Sequence, residues 1–201
     1  MIVRIVFCGV GALGSSAVVL CRSLGAELRL VDFDRVESKN LSAQAFVKQS
    51  LGKNKAEALK IQLLNFWTVK AEALPVRVVA ENVAQVCAGA DLLVDCFDNR
   101  AGRDVLSAHA RAAHLPLVHA ALAADGSFGL VRWDERFTAD REDAAGQATC
   151  EGGEHLPFVG LVAAVLAGVI RDFVRDGARR DAMITPAAVD LRPIAARTLD
   201  G

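Results

Sequence analysis

The stretch Ile2-Val3-Arg4-Ile5-Val6-Phe7-Cys8-Gly9-Val10-Gly11-Ala12-Leu13-Gly14 runs from a β-branched apolar segment of strand length straight into a G-x-G-x-x-G turn. Ser15 to Leu24 follows with helical periodicity and stops at Gly25, so the reading is strand, glycine turn, helix. In that context Gly9 permits the tight turn, Gly11 lets the backbone approach a phosphate, and Gly14 packs the helix against the sheet. Free N–H groups and the helix dipole then attract an anion. The plain alternative is a corner that merely needs glycines. Asp32, closing a second strand from Glu27 to Val31, stands where a carboxylate accepts hydrogen bonds from a ribose diol, although strand-end aspartates also form turns. The turn and Asp32 together specify a nucleotide site without naming the nucleotide.

Outward from this unit the alternation of strand and helix continues. Ala56 to Phe66 places Leu59, Leu63 and Phe66 on one helical face, and Val76 to Ala80 reads as a third strand. Asp91 to Cys96 is a continuous apolar run, the kind buried on both faces of a parallel sheet. Arg103 to Ala113 reads as a helix and Pro116 to Ala121 as a further strand. Beyond it, Gly126 to Trp133 suits an antiparallel strand, Asp134 to His155 a long polar loop, and Pro157 to Val174 a buried apolar helix. Ala182 to Leu199 offers one or two edge strands broken by Pro186 and Pro193. The expected fold is α/β and Rossmann-like: a mostly parallel sheet, helices on both faces, and C-terminal antiparallel edge strands. One domain over 1–201 is expected, its nucleotide-binding part at 1–121.

Composition narrows the function. With 201 residues, 53% hydrophobic and 23% charged, the chain has ample material for a core and is not disordered. A balance of 23 basic against 24 acidic residues leaves a net charge of -1, so no overall field favours nucleic acid or an anionic membrane. Any phosphate binding must therefore be local. The longest apolar run, Phe158 to Ile170, is shorter than the ~20 residues that span a bilayer, so no membrane role is expected. Arg4 interrupts the first apolar run and no signal peptide is expected. Cys8, Cys21, Cys87, Cys96 and Cys150 form no C-x-x-C pair, which excludes a zinc ribbon, makes a disulfide framework unexpected, and suits a reducing cytoplasm.

Three further segments are more particular: Asp32-Phe33-Asp34-Arg35-Val36-Glu37-Ser38-Lys39-Asn40-Leu41-Ser42-Ala43-Gln44, then Gly52-Lys53-Asn54-Lys55-Ala56, then Asp95-Cys96-Phe97-Asp98-Asn99. At these residues the chain resembles the ThiF/MoeB/HesA adenylyltransferases of the ubiquitin-activating-enzyme superfamily, which typically show D-x-D-x-V-x-x-S-N-L-x-R-Q, G-x-x-K and D-C-x-D-N in this order. The resemblance extends through Pro116-Leu117-Val118, Gly126 to Val131, and Thr149-Cys150 before the apolar helix. It implies that ATP binds at Gly9, Gly11 and Gly14. Asp32 then matches the ribose-binding acid beside Asp34, Asn40 and Gln44 the polar loop around the phosphates, Lys55 the phosphate-binding lysine, and Asp98 the acid that holds Mg2+. The implied reaction joins ATP to the C-terminal carboxylate of a small ubiquitin-like or sulfur-carrier protein ending in Gly-Gly, giving acyl-adenylate and pyrophosphate. That carboxylate is already ionised near pH 7, so the work is electrostatic: Lys55, Mg2+ and backbone N–H groups neutralise charge where it develops. The residues from 122 to 201 would hold the carrier-binding loop, with Cys150 able to form a covalent adduct. A homodimer is implied; zinc is not.

Single residues also have plainer readings. Lys55 opens an amphipathic helix and suits a solvated lysine, Asp98-Asn99 could cap the helix from Arg103, and Asp95 reads as a strand-end polar residue. Cys150 reads as either a reactive or an inert loop thiol, while Cys8, Cys21 and Cys96 read as core. His155 suits a polar loop or an aid to Cys150, and His109, His114 and His119 show no metal-ligand spacing. Ala43 replaces the family's usual Arg, which puts catalytic competence in doubt. An N-terminal helical arm, the two zinc-binding C-x-x-C pairs and a separate cysteine domain are also missing from the pattern. The rivals are a member acting on tRNA or a small molecule, a non-catalytic nucleotide- or partner-binding subunit, and an NAD-dependent oxidoreductase, which leaves Lys55 and Asp98 idle.

Overall fold

A computed structural model describes residues 2–123, 125–137 and 155–194. One eight-stranded sheet runs through it in the order β3-β2-β1-β4-β5-β6-β7-β8. The strands are β1 Arg4–Cys8, β2 Glu27–Val31, β3 Ala71–Leu74, β4 Leu92–Asp95, β5 Leu117–Leu122, β6 Gly129–Trp133, β7 Arg180–Thr185 and β8 Ala188–Pro193. The first five pair in parallel and the last three antiparallel. The helices are α1 Ala12–Cys21, α2 Lys55–Trp67, the single turn α3 Val83–Val86, α4 Arg100–Ala112 and α5 Leu156–Asp176.

The side-chain period of two in a strand divides the core. From β1, Ile5 and Phe7 join a cluster with Ala17 of α1, Leu63 of α2 and Leu166 of α5. Val6 and Cys8 point the other way, to Val83 of α3 and to Leu106 and Ala110 of α4. Both faces of the central strands are therefore covered, which is why they read as unbroken apolar runs. Helix α5 is long and apolar enough by length and composition to cross a membrane. Here Val159, Val162, Leu166 and Ile170 are buried in the α1 side of the core.

Three expectations are corrected. The third strand is Ala71–Leu74, not Val76 to Ala80. Pro75 lacks an N–H, and Val76 N bonds back to Leu74 O at 2.9 Å, so the chain turns there and leaves the sheet. Val76 to Val79 has strand composition, but Val78 fills the α4-side core from a loop. Helix α4 starts at Arg100 because Asn99 is its N-cap, Oδ1 accepting from Gly102 N at 2.9 Å. Finally, Pro186 does not break the C-terminal strands but lies in the turn of a hairpin between Thr185 and Ala188, which makes β7 an interior strand and β8 the edge.

Helix α2 ends on Thr68, a β-branched residue held left-handed at φ 58°. That conformation costs an L-residue ~1–2 kcal/mol, which glycine avoids at some cost in unfolded-state entropy. Thr68→Gly is expected to stabilise the protein by ~0.5–1 kcal/mol in urea unfolding; a loss of stability would show that the Thr68 side chain contributes more than its backbone strain.

Candidate active site

Chain order reverses around β1. The connection after β1 leads to β2 on one side, and β3 is followed by β4 on the other. Such a switch point opens a crevice at the carboxyl ends of the strands. Here those ends are the glycine turn after β1, Asp32 after β2, and Cys96-Phe97-Asp98 after β4.

The glycine turn is closed by backbone contacts. Gly9 has φ 87°, its N–H donates to Val31 O at 2.9 Å, and a Cβ there would lie 2.8 Å from Cys96 O. A Cβ on Gly14 would lie 2.0 Å from Gly9 O. Gly11 differs: nothing lies within 4 Å of its would-be Cβ, so the space above the turn is open. Gly11 is also the N-cap of α1, which has no side-chain cap and no acid in its first turn. The first N–H groups of α1 therefore face an opening with no built-in acceptor, as an anion requires.

Asp32 is buried against this turn. Val10 N–H donates to its Oδ2 and Asp34 N–H to its Oδ1, each at 2.9 Å. Burial pushes its carboxyl pKa up, while these N–H groups and nearby Lys55 pull it back. Lys55 is no solvated lysine: only 8% exposed, it reaches Asp34 Oδ2 with Nζ at 3.3 Å. Its backbone N–H bonds Asp34 O, and Asn54, the N-cap of α2, donates its amide to Asp32 O and Asp34 O. The start of α2 is thus tied to the end of β2, which brings Lys55, Asp34 and Asp32 together.

The polar loop is a 3-10 turn, Ser38–Ser42, closed by a capping box: Asn40 Oδ1 accepts Glu37 N–H while the Glu37 carboxylate accepts Asn40 N–H. Asn40 is therefore buried and structural in part. The loop docks on α1 through Ala45 N–H to Ser15 Oγ at 2.9 Å. Gln44 Oε1 is buried without a hydrogen-bond partner, a costly state that a ligand donor would relieve. Ala43 is buried, so a methyl stands where the family carries a guanidinium.

Asp98 is exposed, with Asn99 Nδ2 at 3.4 Å from its Oδ1. Asn99 rather than Asp98 caps α4, which leaves the Asp98 carboxylate free of that task. Among the described residues no group of three or more His, Cys, Asp or Glu side chains could hold a metal. One carboxylate still fits Mg2+ that is held mainly by triphosphate oxygens and water. Cys150 lies outside the described residues. Cys8, Cys21, Cys87 and Cys96 are thiols pushed up by burial, as core residues should be. His155 is the N-cap residue of α5 and packs against Gly126.

The structure adds a buried polar network that sequence reasoning missed. His119 of β5 pairs in register with Asp95 of β4, and both are fully buried. His119 Nδ1 lies 2.7 Å from Asp95 Oδ2 and Nε2 lies 3.1 Å from Asp134 Oδ1. Asp134 also accepts Ser107 Oγ at 2.6 Å and Arg111 Nε at 2.5 Å from α4. Burial pushes the Asp134 carboxyl up, but His119, Arg111 and Ser107 outweigh it and hold it well below the usual carboxylate range. Burial likewise depresses the imidazole, and the bonds to Asp134 and Asp95 reverse this and raise it. A hint lay in the sequence: Asp95 and His119 each continue an apolar run that parallel strands would set side by side.

Comparison with known proteins supplies the context. The model of the ThiF family matches residues 2–172. The SAMP-activating enzyme E1 of Haloferax volcanii is 38% identical over 123 residues, covering 59% of this chain and 45% of that protein. The molybdopterin-synthase adenylyltransferase of Escherichia coli is 29% identical over 174 residues, covering 82% of this chain and 70% of that one. Among solved structures, E. coli MccB with ATP superimposes with a TM-score of 0.78 at 17% identity, over 96% of this chain and 63% of MccB. This chain thus spans less than half of the archaeal relative and about two thirds of the bacterial ones.

The glycines should separate on mutation. Gly14→Ala forces Cβ into the Gly9 carbonyl and is expected to cost ~3 kcal/mol or more of stability, at the upper end for overpacking. Gly11→Ala should stay within ~1 kcal/mol of the parent in urea unfolding, and any defect should appear in nucleotide affinity instead.

Proposed function

The chain belongs to the ThiF family, and on that premise we propose that it adenylates the C-terminal carboxylate of a small ubiquitin-like or sulfur-carrier protein. The supporting observation is the buried Lys55 side chain, held by Asp34 close to Asp32, whose carboxylate in turn accepts the Val10 N–H of the glycine turn. An NAD-dependent oxidoreductase has no task for that lysine.

ATP and a carboxylate repel each other, so the chain must gather positive charge at the triphosphate. The open space over Gly11 admits the phosphates to the first N–H groups of α1. Asp32 retains lone pairs for the ribose hydroxyls, because each oxygen accepts only one backbone N–H. Lys55 turns from Asp34 to the phosphates, and Gln44 Oε1 takes a donor from the ligand or its water. Asp98 would hold Mg2+, which when bound would supply positive charge to the phosphate oxygens. The attacking carboxylate needs no general base. A narrow Gly-Gly tail suits access to the α-phosphorus, and we assign to Cys150 the thiol that would afterwards take the acyl group from the adenylate as a thioester, with release of AMP. We read the working unit as a homodimer. The relatives' activities, adenylation of molybdopterin synthase and of sulfur carriers and activation of SAMP, agree with this class.

Ala43 favours one other reading, a subunit that binds nucleotide without turning it over. Losing a preorganised donor at a transition state costs ~10²–10³ in rate. The test is ATP–pyrophosphate exchange with and without a Gly-Gly-terminated carrier. Exchange that requires the carrier is expected. Asp98→Ala and Lys55→Ala should each lower it by ~10²-fold or more without loss of fold, and Cys150→Ser should spare exchange while abolishing any covalent carrier adduct. ATP binding with no exchange, restored by Ala43→Arg, would make the chain the non-catalytic subunit.

A further inference from the structure

The proposed adenylation chemistry uses Asp98 but leaves unexplained why Asp95, three residues before it, is buried with His119 of β5 and Asp134 of the turn after β6. Besides the bond from Cys96 N–H to Cys8 O and the Asn99 cap of α4, the loop between β4 and α4 is held through this cluster. Asp95 Oδ1 accepts Phe97 N–H at 2.8 Å, while Arg103 Nε donates to Phe97 O at 3.0 Å and its Nη2 to Ala120 O at 3.3 Å. The Phe97 peptide unit adjoining Asp98 is therefore held by α4, and Phe97 N–H by Asp95. Asp95 is itself fixed through Oδ2, which faces His119 Nδ1 at 2.7 Å and Arg103 Nε at 3.5 Å.

The other ring nitrogen fixes the far side. His119 Nε2 meets Asp134, which is anchored to α4 by Ser107 and Arg111. The Phe137 ring stacks on the imidazole at 3.9 Å between centroids and an interplanar angle of 10°, and the Arg103 guanidinium lies 5.8 Å from the Phe137 ring centroid. Phe137 is the last described residue before the segment that carries Cys150. One imidazole thus joins the loop bearing Asp98 to the start of that segment.

The donor count decides the charge state. Both ring nitrogens face carboxylate oxygens, and a neutral imidazole has one N–H and one lone pair. A lone pair aimed at a buried carboxylate is repelled, so two ionised partners require both nitrogens protonated. We propose that His119 is a positioning residue: as an imidazolium clamped between Asp95 and Asp134, it holds the Phe97–Asp98 loop in the register needed at the triphosphate. Its effect on catalysis rests on the adenylation reading, whereas its effect on the loop does not. The charged groups facing the ring are Asp95 from β4, Asp134 from the turn after β6, Arg103 and Arg111 from α4, and Arg132, its register partner on β6, whose Nε is buried without a partner. The raised imidazole pKa agrees with this clamp. The sign follows: the grip is complete below the ordinary imidazole pKa and is lost as pH climbs through the raised one. Asp134, held low, weakens it only in strong acid.

Three measurements on the full chain decide the matter. In the wild-type protein, ring nitrogen chemical shifts at pH 7.5 should show His119 doubly protonated; a neutral ring overturns the proposal. Amide hydrogen exchange should show the Phe97 protection factor falling ~10-fold or more from pH 6 to pH 9, relative to Phe7 of β1, and in His119→Gln at pH 6. Equal protection in either comparison also overturns it, and the wild-type series stands even if the variant fails to fold. In ATP–pyrophosphate exchange, His119→Gln should raise the Mg2+ concentration for half-maximal rate ~10–100-fold, as loss of an outer-shell partner does, with most of kcat recovered at saturating Mg2+. A lowered kcat with unchanged Mg2+ dependence would refute the catalytic role. Absence of exchange in the wild type would sink the adenylation reading alone, since the ring and amide measurements need no turnover.

Discussion

The molecule is organised by a backbone-on-backbone contact with no room for a side chain. Gly9 and Gly14 bring the start of α1 down onto the ends of β1 and β4, where an added Cβ would meet Cys96 O at 2.8 Å or Gly9 O at 2.0 Å. That closeness aims the first N–H groups of α1 at the crevice and brings Val10 N–H within reach of Asp32. Through Ser15 the same helix docks the loop that carries Asn40 and Gln44. A displaced helix would lose the open helix terminus, the N–H hold on Asp32 and the support of the polar loop together.

With a net charge of -1, any attraction of this chain for an anion must come from local arrangement. Lys55 shows how. A buried ammonium without a partner is expensive, and Asp34 meets that cost in the free protein while itself remaining largely exposed. On the adenylation proposed above, an incoming phosphate would replace Asp34, so the lysine is oriented without being locked away. On the same proposal, Gln44 Oε1 and the uncapped α1 terminus are polar groups whose partners would arrive with the ligand.

Much of this was legible because it depends on local chemistry. A β-branched run, three glycines at fixed spacing and an aspartate at a strand end are read by neighbours a few residues away, and the structure joins Gly9, Gly14 and Asp32 as that pattern requires. Lys55 was ambiguous alone, because an N-terminal helix position is usually solvated; its burial comes from Asn54 lacing α2 to the end of β2. Val76 to Ala80 misled for the converse reason. Its composition suits a strand, but Pro75 had already turned the chain out of the ladder. His119 was not legible as a functional residue, because spacing tests for histidine look along the chain, whereas its partners lie 24 and 15 residues away on a neighbouring strand and a turn.

That last cluster also shows what the sheet tolerates. Removing one member of a buried, paired set costs ~3–5 kcal/mol, yet replacing the whole set by apolar side chains is often harmless. Asp95, His119 and Asp134 therefore contribute little net stability that leucine and valine could not supply. What an apolar replacement lacks is direction: Asp95 Oδ1 fixes one N–H of the Phe97–Asp98 loop, and a hydrocarbon fixes none. An exposed carboxylate just past a strand end is mobile unless the peptide before it is held. Here it is held through a chain of charged groups running into α4, so the polarity of the cluster is the structural cost of keeping Asp98 in one place.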